Sequence, residues 1–288
     1  MNPDLKKNRR LYPFTILWVV AFIASLALSI WTAIPSDKGL ALTLALGIPL
    51  TVLLALDWSI HLPNRKLTFW LAVSGTAWWA ASALLVRSDF DWRIWHSVNT
   101  LSLLVVTFSV GLWLAGEIEK SGHLIPVCIL GTLVDFWSVF HGPSKQVGQQ
   151  IIQHQQQVVE TGIQGPPPIV DFFILHWPYP GANMMATLFG MGDLVFVAMF
   201  IGSARRFGLS LPKAVLLVLG GLIAATATAM YFNKPIPALP FMCAFFLAGN
   251  YRALALTRRE WTITISMAAV IIALILANYF GSLITSGK

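Results

Sequence analysis

Residues 186–204 read ATLFGMGDLVFVAMFIGSA, and residues 124–141 read LIPVCILGTLVDFWSVFH. Both are apolar along nearly their whole length. Each also carries one carboxylate, Asp193 in the first and Asp135 in the second. A run of about 20 apolar residues crosses ~30 Å of hydrocarbon at ~1.5 Å per residue. Backbone groups in lipid must bond within their own segment, so each run is expected to be a helix. A carboxylate at that depth costs about 3 kcal/mol or more, so a chain rarely keeps one without a use for it.

The rest of the chain repeats the apolar pattern. Hydrophobic residues make up 57% of the 288, and charged residues only 11%, against roughly 25% charged in soluble domains. The expected fold is an all-α polytopic membrane protein of about nine transmembrane helices, at roughly 13–34, 39–60, 67–86, 96–116, 124–141, 186–204, 212–232, 236–254 and 261–284. The expected organisation is an N-terminal membrane bundle of about four helices over 1–123, then a membrane half of about five helices over 124–288 with a long loop at 142–185.

The net charge of +7 does not point to nucleic acid, because the cations sit in short loops beside span ends. Lys6, Lys7, Arg9 and Arg10 precede the first span. Arg65 and Lys66, then Arg205, Arg206 and Lys213, then Arg252, Arg258 and Arg259 fill alternate loops. The excess of Lys and Arg marks the cytoplasmic side, so the N-terminus is expected inside and the long loop outside. Only the loop with Glu117, Glu119 and Lys120 dissents. Trp18, Trp31, Trp58, Trp92, Trp95 and Trp261 read as interfacial anchors. Cys128 and Cys243 read as small buried hydrophobes. Asp57 and Glu117 fall near span ends, where snorkelling accounts for them. His96 and His123 have no spacing that suggests a metal site, and none is expected.

The long loop has two parts. The Gln-rich stretch 146–160 spaces Val147, Ile151, Ile152, Val158 and Val159 as an amphipathic surface helix would, or as a solvated connector. After Gly165-Pro166-Pro167-Pro168 comes IVDFFILHW, 169–177, which is short, β-branched and aromatic and reads as extended. Such a segment could offer Ile169 to His176 as a strand edge to an unwound substrate, or act as a lid.

Measured from the long-loop side, Asp135 and Asp193 are expected at depths of about 14 and 10 Å, so antiparallel helices could hold them at one level. Pro237-Ala238-Leu239 opens a later span from the same side. Two carboxyls sharing one proton and one water can hydrolyse an amide. The ionised member takes a proton from water, and the protonated member polarises the carbonyl. Gly190 and Gly192 remove side chains where a substrate backbone would approach, or simply permit helix packing. Pro237 and Pro240 free backbone groups at a helix start, or merely begin the helix.

These residues carry a resemblance. Gly190-Met191-Gly192-Asp193, followed one helix later by Pro237-Ala238-Leu239, resembles the GxGD and PAL motifs of the presenilin and signal peptide peptidase family. Asp135-Phe136-Trp137-Ser138-Val139-Phe140 is similar to the first aspartate segment of signal peptide peptidases, with Val134 in place of the family's tyrosine. The likeness covers about 124–255 and suggests a prokaryotic presenilin-like homologue. It implies a presenilin-like arrangement of the catalytic helices and an intramembrane aspartyl protease that needs no cofactor. By the same resemblance Asp135 and Asp193 are catalytic, Gly190, Met191 and Gly192 form active-site backbone, and Pro237, Ala238 and Leu239 support the site and contact substrate. The implied partners are single-span membrane proteins or signal peptides and the bilayer. Accessory subunits are not expected for so short a chain, and the expected home is the plasma membrane of a prokaryote. Two alternatives stay open. One is a prepilin-peptidase-like aspartyl protease. The other is a cation channel or transporter using the intramembrane aspartates.

Overall fold

The computed structural model describes residues 13–29, 34–62, 65–85, 92–141, 150, 169–181, 184–232, 234 and 236–286. The basic N-terminal tail, nearly all of the Gln-rich stretch and Gly165–Pro168 lie outside the described residues. Nine α-helices run through the described residues. They are α1 (Pro13–Ser29), α2 (Ser36–His61), α3 (Arg65–Leu85), α4 (Trp92–Glu117), α5 (Leu124–His141), α6 (Met191–Arg206), α7 (Leu211–Phe232), α8 (Leu239–Asn250) and α9 (Arg258–Ser286). Five of them, α2, α4, α5, α7 and α9, are long and apolar enough to cross a membrane. The chain is a predominantly helical, membrane-embedded protein.

The fold is not purely α. A two-stranded antiparallel hairpin, β1 (Ile174–Tyr179) and β2 (Met184–Gly190), precedes α6, with Ile174 opposite Gly190 and Tyr179 opposite Met184. This corrects two expectations. Of the segment expected to be extended, Ile169–Phe173 forms a 3-10 turn, and only the part from Ile174 is strand. The helix expected from 186 begins at Met191, because Met184–Gly190 pairs with β1 instead. The sequence MMATLFG is apolar without alternation, so it reads equally as strand or as the start of a span.

By contacts the chain divides into two compact units, interleaved along the sequence. One comprises Met1–Trp113 and Ile174–Gly202, the other Leu114–Phe173 and Ser203–Lys288.

In the first unit α1 and α2 pack together, and β1 lies on both. An aromatic cluster fixes it there. Trp18 stacks on Phe22 at 4.9 Å, and Trp177 of β1 stands edge-on to both at 5.4 Å. The indole N–H of Trp177 donates to Ser25 Oγ at 3.2 Å, and that of Trp18 to Thr51 Oγ1 at 3.3 Å. Trp18 is therefore buried rather than an interfacial anchor. So is Trp95, whose indole donates to Ser82 O at 3.0 Å. A ring that packs inside and has an acceptor for its N–H gains nothing from the headgroup layer. The hairpin turns at Gly181, whose φ of +82° is open to glycine without strain. Gly111 of α4 lies against the Val195 carbonyl of α6, where a side chain would not fit.

In the second unit α5 packs against α8 and α9, and α7 against α8. Gly221 permits the α7–α8 approach, since a Cβ there would stand 2.6 Å from Met242 Cα. The helix ends are closed by local chemistry. At α9, Thr257 and Glu260 form a reciprocal capping box, with Thr257 N donating to Glu260 Oε2 at 2.7 Å and Glu260 N to Thr257 Oγ1 at 3.3 Å. Glu260 also receives Lys120 Nζ at 3.1 Å and stands 3.3 Å from His123 Nε2. α6 stops at Gly208, φ +66°, with Leu209 N donating to Ala204 O at 2.8 Å. Arg206 donates to the last carbonyls of α4, Ala115 and Gly116, and Lys213 to Gly249 in α8. These are cations at the negative ends of helices.

Candidate active site

Helix α6 starts at Met191, which makes Gly190 its N-cap and Asp193 its third residue. Asp193 Oδ2 accepts the Gly190 amide at 3.2 Å. This is the returning half of a capping box, in which an acid at the third position bonds the N-cap amide. The Gly-Met-Gly-Asp sequence is thus a strand-to-helix junction, with its carboxylate at the positive end of the helix. The sequence reading placed Asp193 about 10 Å inside a helix. The pairing of β2 with β1 puts it in the first turn instead.

The two glycines differ. A Cβ on Gly190 would lie 3.5 Å from Asp193 Oδ2, an ordinary contact. A Cβ on Gly192 would meet nothing within 4 Å among the described residues. Gly192 is exposed and leaves open space beside Asp193, so helix packing does not explain it.

Asp135 occupies the second unit. It is the twelfth residue of α5, and its Oδ2 accepts the amide of Leu239 at 3.2 Å. Leu239 is the first residue of α8, and its N-cap is Ala238, which has no side-chain oxygen to bond the free amides. The next residue is Pro240, which has no amide to satisfy. The helix therefore takes its cap from another helix. Pro237 and Leu239 are buried, and Ala238 is partly so. Asp135 and the Pro237-Ala238-Leu239 motif, 104 residues apart at the bond, are brought together. Asp193 belongs to the first unit and keeps its own bond to Gly190.

A third acid behaves the same way. Asp57 of α2 accepts Thr15 N at 3.0 Å and Thr15 Oγ1 at 2.7 Å in the first turn of α1, with His61 Nδ1 at 3.3 Å. It is 1% exposed, so it does not snorkel. The contrast is in burial. Asp57 is sealed, whereas Asp135 and Asp193 each remain partly exposed. Helix capping alone explains Asp57. It leaves unexplained why two acids on apolar helices should stay accessible.

The residues of the first unit that could ligate a metal include His96 and His176, buried with ring centroids 4.3 Å apart. Thr100, one turn along α4 from His96, exchanges hydrogen bonds with the His176 backbone at 3.2 Å. Sequence reading missed this pairing, because α4 and β1 meet only through the tertiary fold.

No protein-family model, no curated protein and no solved structure matches the chain. The family resemblance rests on the motifs alone.

Proposed function

We propose that the chain is an intramembrane aspartyl protease of the GxGD type, with Asp135 and Asp193 as its catalytic pair. One observation carries the reading. The Asp135 carboxylate is bonded to the first amide of the Pro237-Ala238-Leu239 helix, so two of the three motif elements meet. The open space at Gly192 supports the reading by leaving room for a substrate backbone next to Asp193.

In this mechanism the two carboxyls hold one proton and one water between them. The ionised carboxylate removes a proton from the water, which attacks the scissile carbonyl while the protonated acid polarises it. The proton then passes to the leaving amine. The pair titrates as a unit, because like charges sharing a site cannot both ionise. Gly190, Met191 and Gly192 present backbone beside Asp193, and Pro237, Ala238 and Leu239 hold Asp135 and meet substrate. The substrates are single-span membrane proteins or signal peptides, cleaved without cofactor or accessory subunit. The setting is the plasma membrane of a prokaryote, with the N-terminus cytoplasmic.

A second reading has its own observation. Asp57 shows that this chain uses a buried acid purely to cap a helix, and Asp135 and Asp193 make the same kind of bond. One assay separates them. Purified protein in detergent is incubated with a tagged single-span substrate, with and without a transition-state-analogue aspartyl inhibitor. The protease reading expects inhibitor-sensitive cleavage. Its absence leaves helix capping, and ion flux through reconstituted vesicles then tests the transporter alternative.

A further inference from the structure

In the second unit α5 and α9 set out side by side from a common end. His123 Nε2, just before α5, stands 3.3 Å from Glu260 Oε1 in the first turn of α9, and Ser121 Oγ donates to Ala253 O at 2.8 Å. Further along, the two helices part around a cavity of about 200 Å³. It is lined by Val134 and Trp137 of α5 and by Ile271, Leu274 and Ile275 of α9. On both helices the lining residues sit about 15–22 Å beyond the paired starts, so α5 and α9 are parallel. The cavity opens outward, with Val134 51% and Leu274 65% exposed. Both helices are long and apolar enough to cross a membrane, and only 17% and 6% of their apolar windows are buried by the protein. The opening therefore meets hydrocarbon.

Polarity, width and depth limit what fills it. Of the lining side chains only the Trp137 indole carries a hydrogen-bonding group, so water, which needs several polar partners, gains little there. A helix with its side chains is ~10–12 Å across, too wide for this space, whereas an acyl chain is narrow enough. One leaflet supplies about half of a ~30 Å core, so a chain hanging from the paired helix starts brings its far end to the cavity. The end it would hang from is cationic. Lys120, Arg252, Arg258 and Arg259 are exposed there, against exposed Glu117 and Glu119, while Glu260 is engaged by Lys120 and by the α9 cap. Cations at the membrane surface attract anionic headgroups. We propose that an anionic phospholipid binds along the α5–α9 seam, with its phosphate at Arg258 and Arg259 and the end of one acyl chain in the cavity beside Trp137. The proposal needs the chain to be membrane-embedded and is independent of proteolysis.

The test uses the full chain, stripped of lipid in detergent and titrated with phosphatidylglycerol that carries bromine near the ends of its chains. Bromine quenches tryptophan emission on contact, and the Trp137 signal is the difference between each protein and its Trp137→Phe counterpart. Quenching of Trp137 should rise with lipid and saturate, at a concentration about ten-fold or more below that for brominated phosphatidylcholine of the same chains. Arg258→Gln combined with Arg259→Gln should move the phosphatidylglycerol midpoint most of the way to the phosphatidylcholine value and leave the depth of quenching intact. Leu274→Phe fills the cavity from an exposed position, where the fold tolerates a larger side chain, and should abolish the saturable quenching. Equal midpoints for the two lipids, or quenching that rises without saturation, overturn the proposal. So does unchanged quenching in Leu274→Phe, which would leave only loose contact at the helix surface. Loss of Trp137 quenching together with a dimeric mass at higher protein concentration would give the cavity to a second copy of the chain and overturn it equally.

Discussion

Asparagine at position 135 keeps an oxygen that can accept the Leu239 amide and loses only the ability to exchange a proton. Alanine loses both. The two substitutions therefore separate capping from catalysis. Asp135→Asn and Asp193→Asn should each abolish cleavage, and the double variant should be no worse than either, as groups acting as one unit require. Their thermal stability should change little. Asp135→Ala should add a loss of about 1 kcal/mol, the usual cost of an N-cap, read from denaturation of the same preparations. Graded activity in the Asn variants, following stability, would favour capping alone. Glycines give a second residue-scale contrast. Gly192→Ala adds a methyl to open space and should leave stability within about 0.5 kcal/mol, while cleavage drops at least several-fold if substrate backbone passes there. Gly221→Ala pushes a methyl onto the Met242 backbone and should cost about 1–3 kcal/mol. The sequence made Asp135, Asp193 and the two proline-flanked residues legible as candidates because carboxylates in apolar runs are conspicuous. It could not show that Asp135 bonds Leu239, since that bond joins residues 104 apart.

At the scale of elements, the strands change where an unwound substrate could pair. In a two-stranded sheet each strand has one edge not paired to the other. The β1 edge is poorly placed. Its residues Leu175–Pro178 are buried, the strand packs on α1 and α2, and the His176 amide is bonded to Thr100. β2 is the more open strand, with Thr187 exposed, and it runs directly into the Asp193 turn. Substrate should therefore add to β2. Hydrogen exchange across 184–190 should slow when a non-cleavable substrate peptide is bound to the Asp193→Asn protein, while amides of β1 change little. Slowing confined to β1 would sink this placement. Phe172, by contrast, is buried in the 3-10 turn, so proline there tests folding and not strand pairing. The helices were legible almost to the residue where apolar runs end in polar ones, as at α5 and α7. The hairpin was not, because a buried strand and a helix start share the same composition. Tertiary pairing with β1 decided between them.

At the scale of the whole molecule, the charge bias gives an orientation that can be checked without any assay of function. With Cys128 and Cys243 replaced by serine, a cysteine introduced as Gln155→Cys should react with a membrane-impermeant maleimide on intact cells. Reaction only after permeabilisation reverses the topology and the face to which products are released.

The lengths of two helices have a consequence for the lipid. α6 has 16 residues and α8 has 12, rises of about 24 and 18 Å. Neither reaches across a bilayer core of ~30 Å, so under the protease reading the bilayer at their ends would have to thin or admit water. Both helices begin at the proposed chemistry, Asp193 in the first turn of one and the Leu239 amide at the start of the other. Local thinning would therefore deliver water to the carboxylates without any dedicated channel. Reconstitution into vesicles of shorter acyl chains should then raise the cleavage rate, and longer chains should lower it, at constant protein and substrate density. A rate indifferent to acyl length would mean that the protein supplies its own route for water.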